Sequence, residues 1–140
     1  MRKNLYEIFE EVSAAKSTQE RVDLLRANES WTLIQLLKGV YNPDVKFTVK
    51  EIPAYHPSDS PAGMSYGNID MVMRKAYLFQ EGHPNRPQEL SEKRQSHILI
   101  QMLESLEAKE AEIFSNMLLK RLNVRGMSRM LVDVAFPGKI

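Results

Sequence analysis

Apolar residues recur at the spacing of one α-helical face through most of this 140-residue chain. The first set lies within residues 5–12, at positions i, i+3, i+4 and i+7. Because an α-helix completes a turn in 3.6 residues, this spacing gathers apolar side chains into one stripe that must be buried. The same spacing recurs near residues 22–41, 69–79, 99–106 and 114–122. The pattern predicts an all-α fold.

Capping residues and a proline divide the first part of this pattern into separate helices. The stretch STQE at residues 17–20 is a capping box, in which Ser17 accepts from an amide of the first turn and Glu20 reaches back. Ser30 caps the next helix, which stops at Asn42 because Pro43 pushes the preceding residue out of helical geometry. Similar caps and breaks occur along the rest of the chain, and together they predict about six or seven helices.

Two stretches in the middle of the chain depart from helical spacing. VKFTVKEI at residues 45–52 alternates apolar and polar residues, as a half-buried extended segment does. No partner strand is visible, so we expect one short extended segment packed on helices rather than a sheet. Residues 53–67 hold three prolines and two glycines, which predict a long surface loop. Residues 68–79 then predict one continuous helix.

Length and composition fit a single compact domain that spans residues 1–140. Cysteine is absent, which excludes disulfides, a thiol nucleophile and a thiolate zinc site. No run reaches the ~20 apolar residues of a membrane-spanning helix, and residues 1–12 lack the apolar core of a signal peptide. We therefore expect an intracellular, cytoplasmic protein that does not associate with a membrane.

Motifs for the common enzymatic chemistries are missing from the sequence. There is no phosphate loop, no dinucleotide-binding glycine motif and no nucleophile elbow. His56, His83 and His97 are scattered and lack the paired spacing of a metal site. The acidic run at residues 104–112 alternates with apolar residues, which is typical of a solvated helix face. We expect no enzymatic activity, no catalytic residue, no cofactor and no metal.

The most basic stretch is KRLNVRGMSRML at residues 120–131, although the net charge of the whole chain is only +1. Lys120 and Arg121 fall in the last turn of the predicted sixth helix, where cations favour the negative end of the macrodipole. Arg125 and Arg129 flank Gly126, which permits close backbone approach and opens a last short helix whose free amides favour an anion. Two interpretations stay open: an ordinary basic helix terminus, or a loop that contacts phosphate.

The order of several stretches resembles the all-helical N-terminal DNA-binding domain of tailed-phage ATP-dependent DNA ligases. The stretches are EIFEEVSAAKSTQERVDLLRANE, FTVKEIP, NIDMVMRKAYLF and MLLKRLNVRGMSRMLVDVAFPGKI, which together follow nearly the whole chain. The Lys-x-Asp-Gly nucleophile motif of the ligases is absent, because no lysine here has an aspartate two positions later. The chain is therefore similar to a free-standing small phage protein without the adenylation domain, and the resemblance implies no ligation.

In that family the domain grips duplex DNA across the minor groove through backbone contacts. The resemblance thus implies a sequence-independent double-stranded DNA-binding module of phage DNA metabolism, since phosphate and sugar contacts carry no base identity. The residues implied at matching positions are Arg121, Asn123, Arg125, Gly126, Ser128 and Arg129, with Lys46 and Lys50 added from KFTVKEIP. The nearly neutral net charge favours an alternative function. In this alternative the chain is a protein-protein interaction module on the same scaffold that has lost DNA binding. It would then serve as a phage accessory or host-directed factor.

Overall fold

Seven α-helices and one 3-10 helix form within the part of the chain that the computed structural model describes, residues 3–58 and 68–140. They are α1 Leu5–Ala14, α2 Thr18–Ala27, α3 Trp31–Tyr41, α4 Ile69–Met73, the 3-10 helix Ala76–Phe79, α5 Glu92–Glu104, α6 Ala108–Leu118 and α7 Arg129–Ala135. The predicted all-α class is confirmed. Residues 59–67 of the predicted loop lie outside the described residues. None of the described helices is long and apolar enough to cross a bilayer.

Polar caps begin most of these helices where the sequence places them. The side chains of Ser17, Ser30 and Asn68 each accept a hydrogen bond from the amide three residues later. The Glu20 carboxylate reaches back to the amide of Lys16, at 3.0 Å, and so satisfies a second free donor at the start of α2. The local signals for α2, α3 and α4 therefore decide where these helices start.

The core is centred on α6, which packs against α1, α3, α4 and α5. At the α3–α6 crossing the two helices approach closely, because a Cβ at Gly39 would lie 2.7 Å from the sulfur of Met117. On the other side of α1, α2 packs against both α1 and α7. These contacts hold the two ends of the segment that joins α6 to α7.

The extended segment pairs with the main chain after the 3-10 helix at a single isolated bridge between Phe47 and Gln80. The amide of Thr48 donates to the carbonyl of Phe79 at 2.7 Å, and the amide of Glu81 donates to the carbonyl of Lys46 at 2.7 Å. No sheet forms in the described residues, so the prediction of an extended stretch packed on helices is confirmed.

The prediction of one continuous helix over residues 68–79 is wrong. Helix α4 ends at Met73, and the chain continues as the separate 3-10 helix. The carbonyls at the end of this segment are taken by distant donors, since Phe79 accepts from Thr48 and Leu78 accepts from the guanidinium of Arg86 at 2.9 Å. These contacts hold the end of the 3-10 helix. The change of helix type begins at Lys75, whose amide donates to the carbonyl of Val72, three residues back, at 3.0 Å.

Candidate nucleic-acid interface

The basic stretch forms the loop between α6 and α7, and its backbone is fixed by three residues with positive φ. These residues are Lys120, Asn123 and Gly126, at 60°, 59° and 86°. Just after α6, the amide of Lys120 donates to the carbonyl of Met117 at 2.9 Å and the amide of Arg121 donates to that of Asn116 at 3.0 Å. This pair of bonds is a Schellman motif, with a lysine where glycine is usual.

The ammonium group of Lys120 is directed into the protein rather than into solvent. It donates to the carbonyls of Gly39, Asn42 and Val45, at 2.6, 2.8 and 2.7 Å. Burial lowers the pKa of this ammonium from its ordinary value. The expectation that Lys120 lies in the last turn of the sixth helix is wrong, because α6 ends at Leu118 and the dipole that Lys120 complements is that of α3.

Arg129 and Ser128 also make contacts within the protein. The guanidinium of Arg129 donates to the carbonyl of Tyr41, the last residue of α3, at 3.3 Å, and lies 3.6 Å from the carboxylate of Asp133. The Ser128 hydroxyl accepts from the amide of Leu131 at 3.1 Å and so caps α7. Helix α7 begins at Arg129, three residues after the predicted opening at Gly126.

The close approach that Gly126 permits is to another side chain of the same molecule. A Cβ at Gly126 would lie 2.3 Å from Nε of Arg21. The Arg21 guanidinium is held at this place because it donates to the carbonyl of Ala15 at 2.9 Å and to that of Val12 at 3.4 Å, at the end of α1. Gly126 therefore joins the loop to the α1–α2 corner.

The remaining predicted loop residues, Arg121, Asn123 and Arg125, are exposed. Arg121 has a single long contact, from Nε to the side-chain oxygen of Asn116 at 3.5 Å. Within residues 3–58 and 68–140, no carboxylate pairs with Arg121 or Arg125. These two guanidinium groups keep their donors available for a partner.

Of the two lysines predicted in the extended segment, Lys46 is the one whose chain neighbours contact this loop, while its own side chain alternates to the opposite face. Both Lys46 and Lys50 are exposed. Lys46 lies between Val45, whose carbonyl binds the Lys120 ammonium, and Phe47, whose ring centroid is 5.8 Å from that ammonium. No contact of this kind links Lys50 to the loop in the part of the chain that the structure describes.

A cavity of about 540 Å³ at the opposite end of α3 is acidic. Glu29, Asp70 and Glu110 line it, and Thr32 in the first turn of α3 donates to Asp70. Glu110 is only 6% exposed, so the expectation of a fully solvated acidic face over residues 104–112 is wrong at this position. Burial, reinforced by the charges of Glu107 and Asp70, raises the pKa of Glu110 to about 7. Lys3 is the one cation among the described lining residues, and it is paired with Glu11, so the charge of this cavity disfavours phosphate.

Among the described residues, no group of three or more metal-ligating side chains is placed to hold an ion. His83 lies against the ring of Tyr77, with the two centroids 5.4 Å apart. The amide of His56 donates to the carboxylate of Glu104 at 3.0 Å, while His97 is exposed on α5.

The sequence reading missed a cleft of about 430 Å³ between α3 and the 3-10 helix. Trp31, Gln35 and Lys38 form one wall and Arg74 and Tyr77 contribute to the other. The sequence does indicate one wall of this cleft, because Trp31, Gln35 and Lys38 are spaced at i, i+4 and i+7 and so share one face of α3. The opposing wall comes from a segment more than thirty residues away, and sequence spacing does not show that it faces α3.

Comparison with known proteins identifies a family for most of the chain. No curated protein and no solved structure is significantly similar to it. A family model matches residues 8–124. This match includes the whole lining of the cleft and ends one residue before Arg125. The chain belongs to a family of unknown function, DUF6433.

Proposed function

We propose that the chain is a non-catalytic, sequence-independent double-stranded DNA-binding module that contacts the phosphate backbone along the minor groove. It acts in phage DNA metabolism, in the cytoplasm of the host cell. The observation that carries the proposal is the pair of exposed, unpaired guanidinium groups of Arg121 and Arg125 on a loop with a fixed backbone. The resemblance to the ligase DNA-binding domain implies DNA contacts by residues of the same loop.

A fixed loop suits phosphate contact because little conformational entropy is lost when the partner binds. The Schellman motif, the Lys120 ammonium and the Gly126–Arg21 contact hold the loop at three places. Arginine forms bidentate, charge-assisted hydrogen bonds with phosphate oxygens. Asn123, exposed between the two arginines, adds an amide donor.

The contacts within the protein limit the strength of this interaction. Lys120 is occupied by three carbonyls, and Arg129 is partly occupied by Tyr41 and Asp133. Arg121 and Arg125 remain as the loop cations without an ion pair, and Lys46 is exposed in the neighbouring extended segment. Each phosphate neutralised changes the logarithmic salt slope of binding by about −0.9, so three contacts give modest, steeply salt-dependent affinity.

Fluorescence anisotropy with a short labelled duplex, nicked or intact, over a salt series tests the proposal. We expect binding at about 50 mM salt, because screening is weak there. Replacing both arginines, Arg121→Ala with Arg125→Ala, is expected to reduce the magnitude of the salt slope by about 2, because two phosphate contacts are lost. The loss is expected to be equal for unrelated duplex sequences.

The matched control is Lys93→Ala with Arg94→Ala, which removes the same charge from the exposed first turn of α5. If binding depended on net charge alone, both double variants would weaken it equally, and the loop would have no special role. No duplex binding by the folded wild-type protein at about 50 mM salt would refute the proposal outright.

A protein-protein interaction module on the same scaffold is the second candidate. Helix α7 exposes 78% of Met130 and 51% of Val134, which are spaced at i, i+4 and lie on one face. Exposed apolar side chains of this size are typical of surfaces that a partner covers. A folded protein that fails to bind duplex DNA in the experiment above favours this second function.

A further inference from the structure

The cleft between α3 and the 3-10 helix has the size of a small-molecule site. Its volume of about 430 Å³ lies within the range of about 300–1,000 Å³ that such sites occupy. Gly39, Val45 and Phe47 are among its lining residues. All three contact the Lys120 ammonium, through two carbonyls and one ring, so this part of the lining is linked to the basic loop.

The charged side chains that line this cleft are cationic. They are Lys38 on α3 and Arg74 at the end of α4, and no aspartate or glutamate of the described residues lines the cleft. Neither Lys38 nor Arg74 forms an ion pair or side-chain hydrogen bond within residues 3–58 and 68–140. The cleft therefore favours an anion and retains free donors to bind it.

Aromatic rings complete the lining. Trp31 is 47% exposed, although α3 buries Leu33, Leu36 and Leu37. The Arg74 guanidinium carbon lies 4.9 Å from the Trp31 ring centroid, so the cation is in contact with the ring. Tyr77 packs against His83, whose Nδ1 accepts from the amide of Asn85 at 3.1 Å.

We propose that this cleft binds a nucleotide, with an aromatic base packed against the part of the Trp31 ring that Arg74 leaves exposed and a phosphate held by Arg74 and Lys38. A planar π-system and an anionic group are the two chemistries that the lining matches together, because stacking satisfies the ring and phosphate satisfies the cations. The nucleotide is either a free mononucleotide or the terminal nucleotide of a single DNA strand. The site does not depend on duplex binding by the basic loop.

The acidic cavity beside the N-terminal end of α3 is larger but lacks both properties. Three carboxylates and the Lys3 ammonium line it, and no tryptophan, tyrosine or histidine of the described residues does. Because Lys3 is already paired with Glu11 at 2.7 Å, a nucleotide would find no unpaired cation there for its phosphate and no ring for its base. Volume alone therefore does not identify the site, and the combination of rings with unpaired cations does.

Trp31 provides a direct readout, since it is the only tryptophan of the chain. Tryptophan fluorescence would be titrated separately with AMP, adenosine, inorganic phosphate and a 5′-phosphorylated single-stranded DNA hexamer. We expect saturable quenching by AMP or by the hexamer, with dissociation constants between about 1 μM and 1 mM. The tighter of these two identifies the source of the nucleotide. Adenosine and phosphate are each expected to bind roughly tenfold more weakly, since each lacks one half of the contact.

The variants Arg74→Ala and Lys75→Ala form a matched pair, because they remove the same charge from adjacent exposed residues and only Arg74 lines the cleft. Arg74→Ala is expected to weaken binding of the tighter ligand roughly tenfold or more, and Lys75→Ala less than about twofold. Calorimetry would accompany fluorescence, because Arg74 also touches the reporting ring. Lys38→Ala repeats the comparison if Arg74→Ala fails to fold.

Absence of binding by both AMP and the hexamer overturns the proposal. Inorganic phosphate that binds as tightly as AMP also overturns it, since the site would then recognise only an anion. Equal losses in Arg74→Ala and Lys75→Ala place any binding elsewhere on the protein and have the same consequence. None of these results depends on the anisotropy experiment with duplex DNA, so the two proposals fail independently.

Discussion

At the scale of single residues, Gly126 illustrates how a glycine next to arginines acquires its role from a distant side chain. Its φ of 86° disfavours other residues, and the space above its Cα is filled by Arg21. Gly126→Ala is expected to lower the free energy of unfolding by roughly 2–4 kcal/mol, because backbone strain adds to a clash that displaces Arg21 from its carbonyls. Urea denaturation measures this change.

The control for Gly126 is Gly82→Ala. Gly82 has a φ of 76°, and nothing lies within 4 Å of an added Cβ. An alanine at this position is strained by its positive φ but meets no neighbouring atom. We therefore expect the free energy of unfolding to fall by about 1 kcal/mol. Equal effects at the two positions would show that the Arg21 contact contributes nothing to the role of Gly126.

At the scale of elements, cationic side chains cap the C-terminal ends of helices other than their own. Arg21 donates to carbonyls at the end of α1, Arg26 to the carbonyls of Val134 and Ala135 at the end of α7, and Lys120 to the end of α3. A free carbonyl at a helix end is an obligatory acceptor, and a cation satisfies both it and the macrodipole. Several cations of this nearly neutral chain thus serve the fold.

Lys120 gives the sharpest test of this capping. Lys120→Met keeps most of the apolar stem and removes the donor, so we expect a loss of roughly 2–4 kcal/mol in unfolding free energy, because three carbonyls lose a charged partner. The unfolding free energy of Lys120→Gly is expected to fall by about 1 kcal/mol less than that of Lys120→Met, since glycine adopts positive φ without strain. Thermal and urea denaturation of both variants measure the difference. A Lys120→Gly protein as stable as wild type would contradict the capping role.

The element boundaries show which parts of the fold could be predicted. The starts of α2, α3 and α4 follow from Ser17, Ser30 and Asn68, because a cap and its amide lie within four residues of each other. The break after α4 could not be predicted, because no proline, glycine or capping residue marks residues 73–76. The loop residues of the candidate site were predicted from the charge of the stretch, from Gly126 and from the resemblance to the ligase domain. The carbonyls bound by Lys120 lie 75–81 residues away, so its internal role had no local signal.

At the scale of the whole molecule, the near-neutral net charge conceals a polar axis along α3. The eleven residues of α3 span about 16 Å. Asp70 accepts from Thr32 at its N-terminal end, while Lys120 and Arg129 bind carbonyls at its C-terminal end. Each charge has the sign that the helix macrodipole favours at that end. Charge separation in this chain therefore stabilises a helix whether or not a partner binds.

Glu110 makes the acidic end of this axis sensitive to pH. Its pKa is raised from 4.5 to about 7, because burial removes water from the carboxylate and the charges of Glu107 and Asp70 repel it. The folded protein consequently holds this proton to higher pH than the unfolded chain. The stability that the protonated group contributes is complete below pH 4.5 and is lost as pH rises to about 7.

We therefore expect the free energy of unfolding to fall by up to roughly 3 kcal/mol from this group between pH 4.5 and 7. Glu110→Gln removes the charge and keeps an acceptor oxygen for the amide of Ile69. This variant is expected to be more stable than wild type at pH 8, and its unfolding free energy is expected to change less between pH 4.5 and 7. Chemical denaturation at a series of pH values measures both effects. Glu112→Gln, at an exposed position of α6, is the control and is expected to retain the wild-type profile. If Glu110→Gln follows the wild-type profile, another group controls the pH dependence, and the buried carboxylate is not the destabilising charge of this cavity.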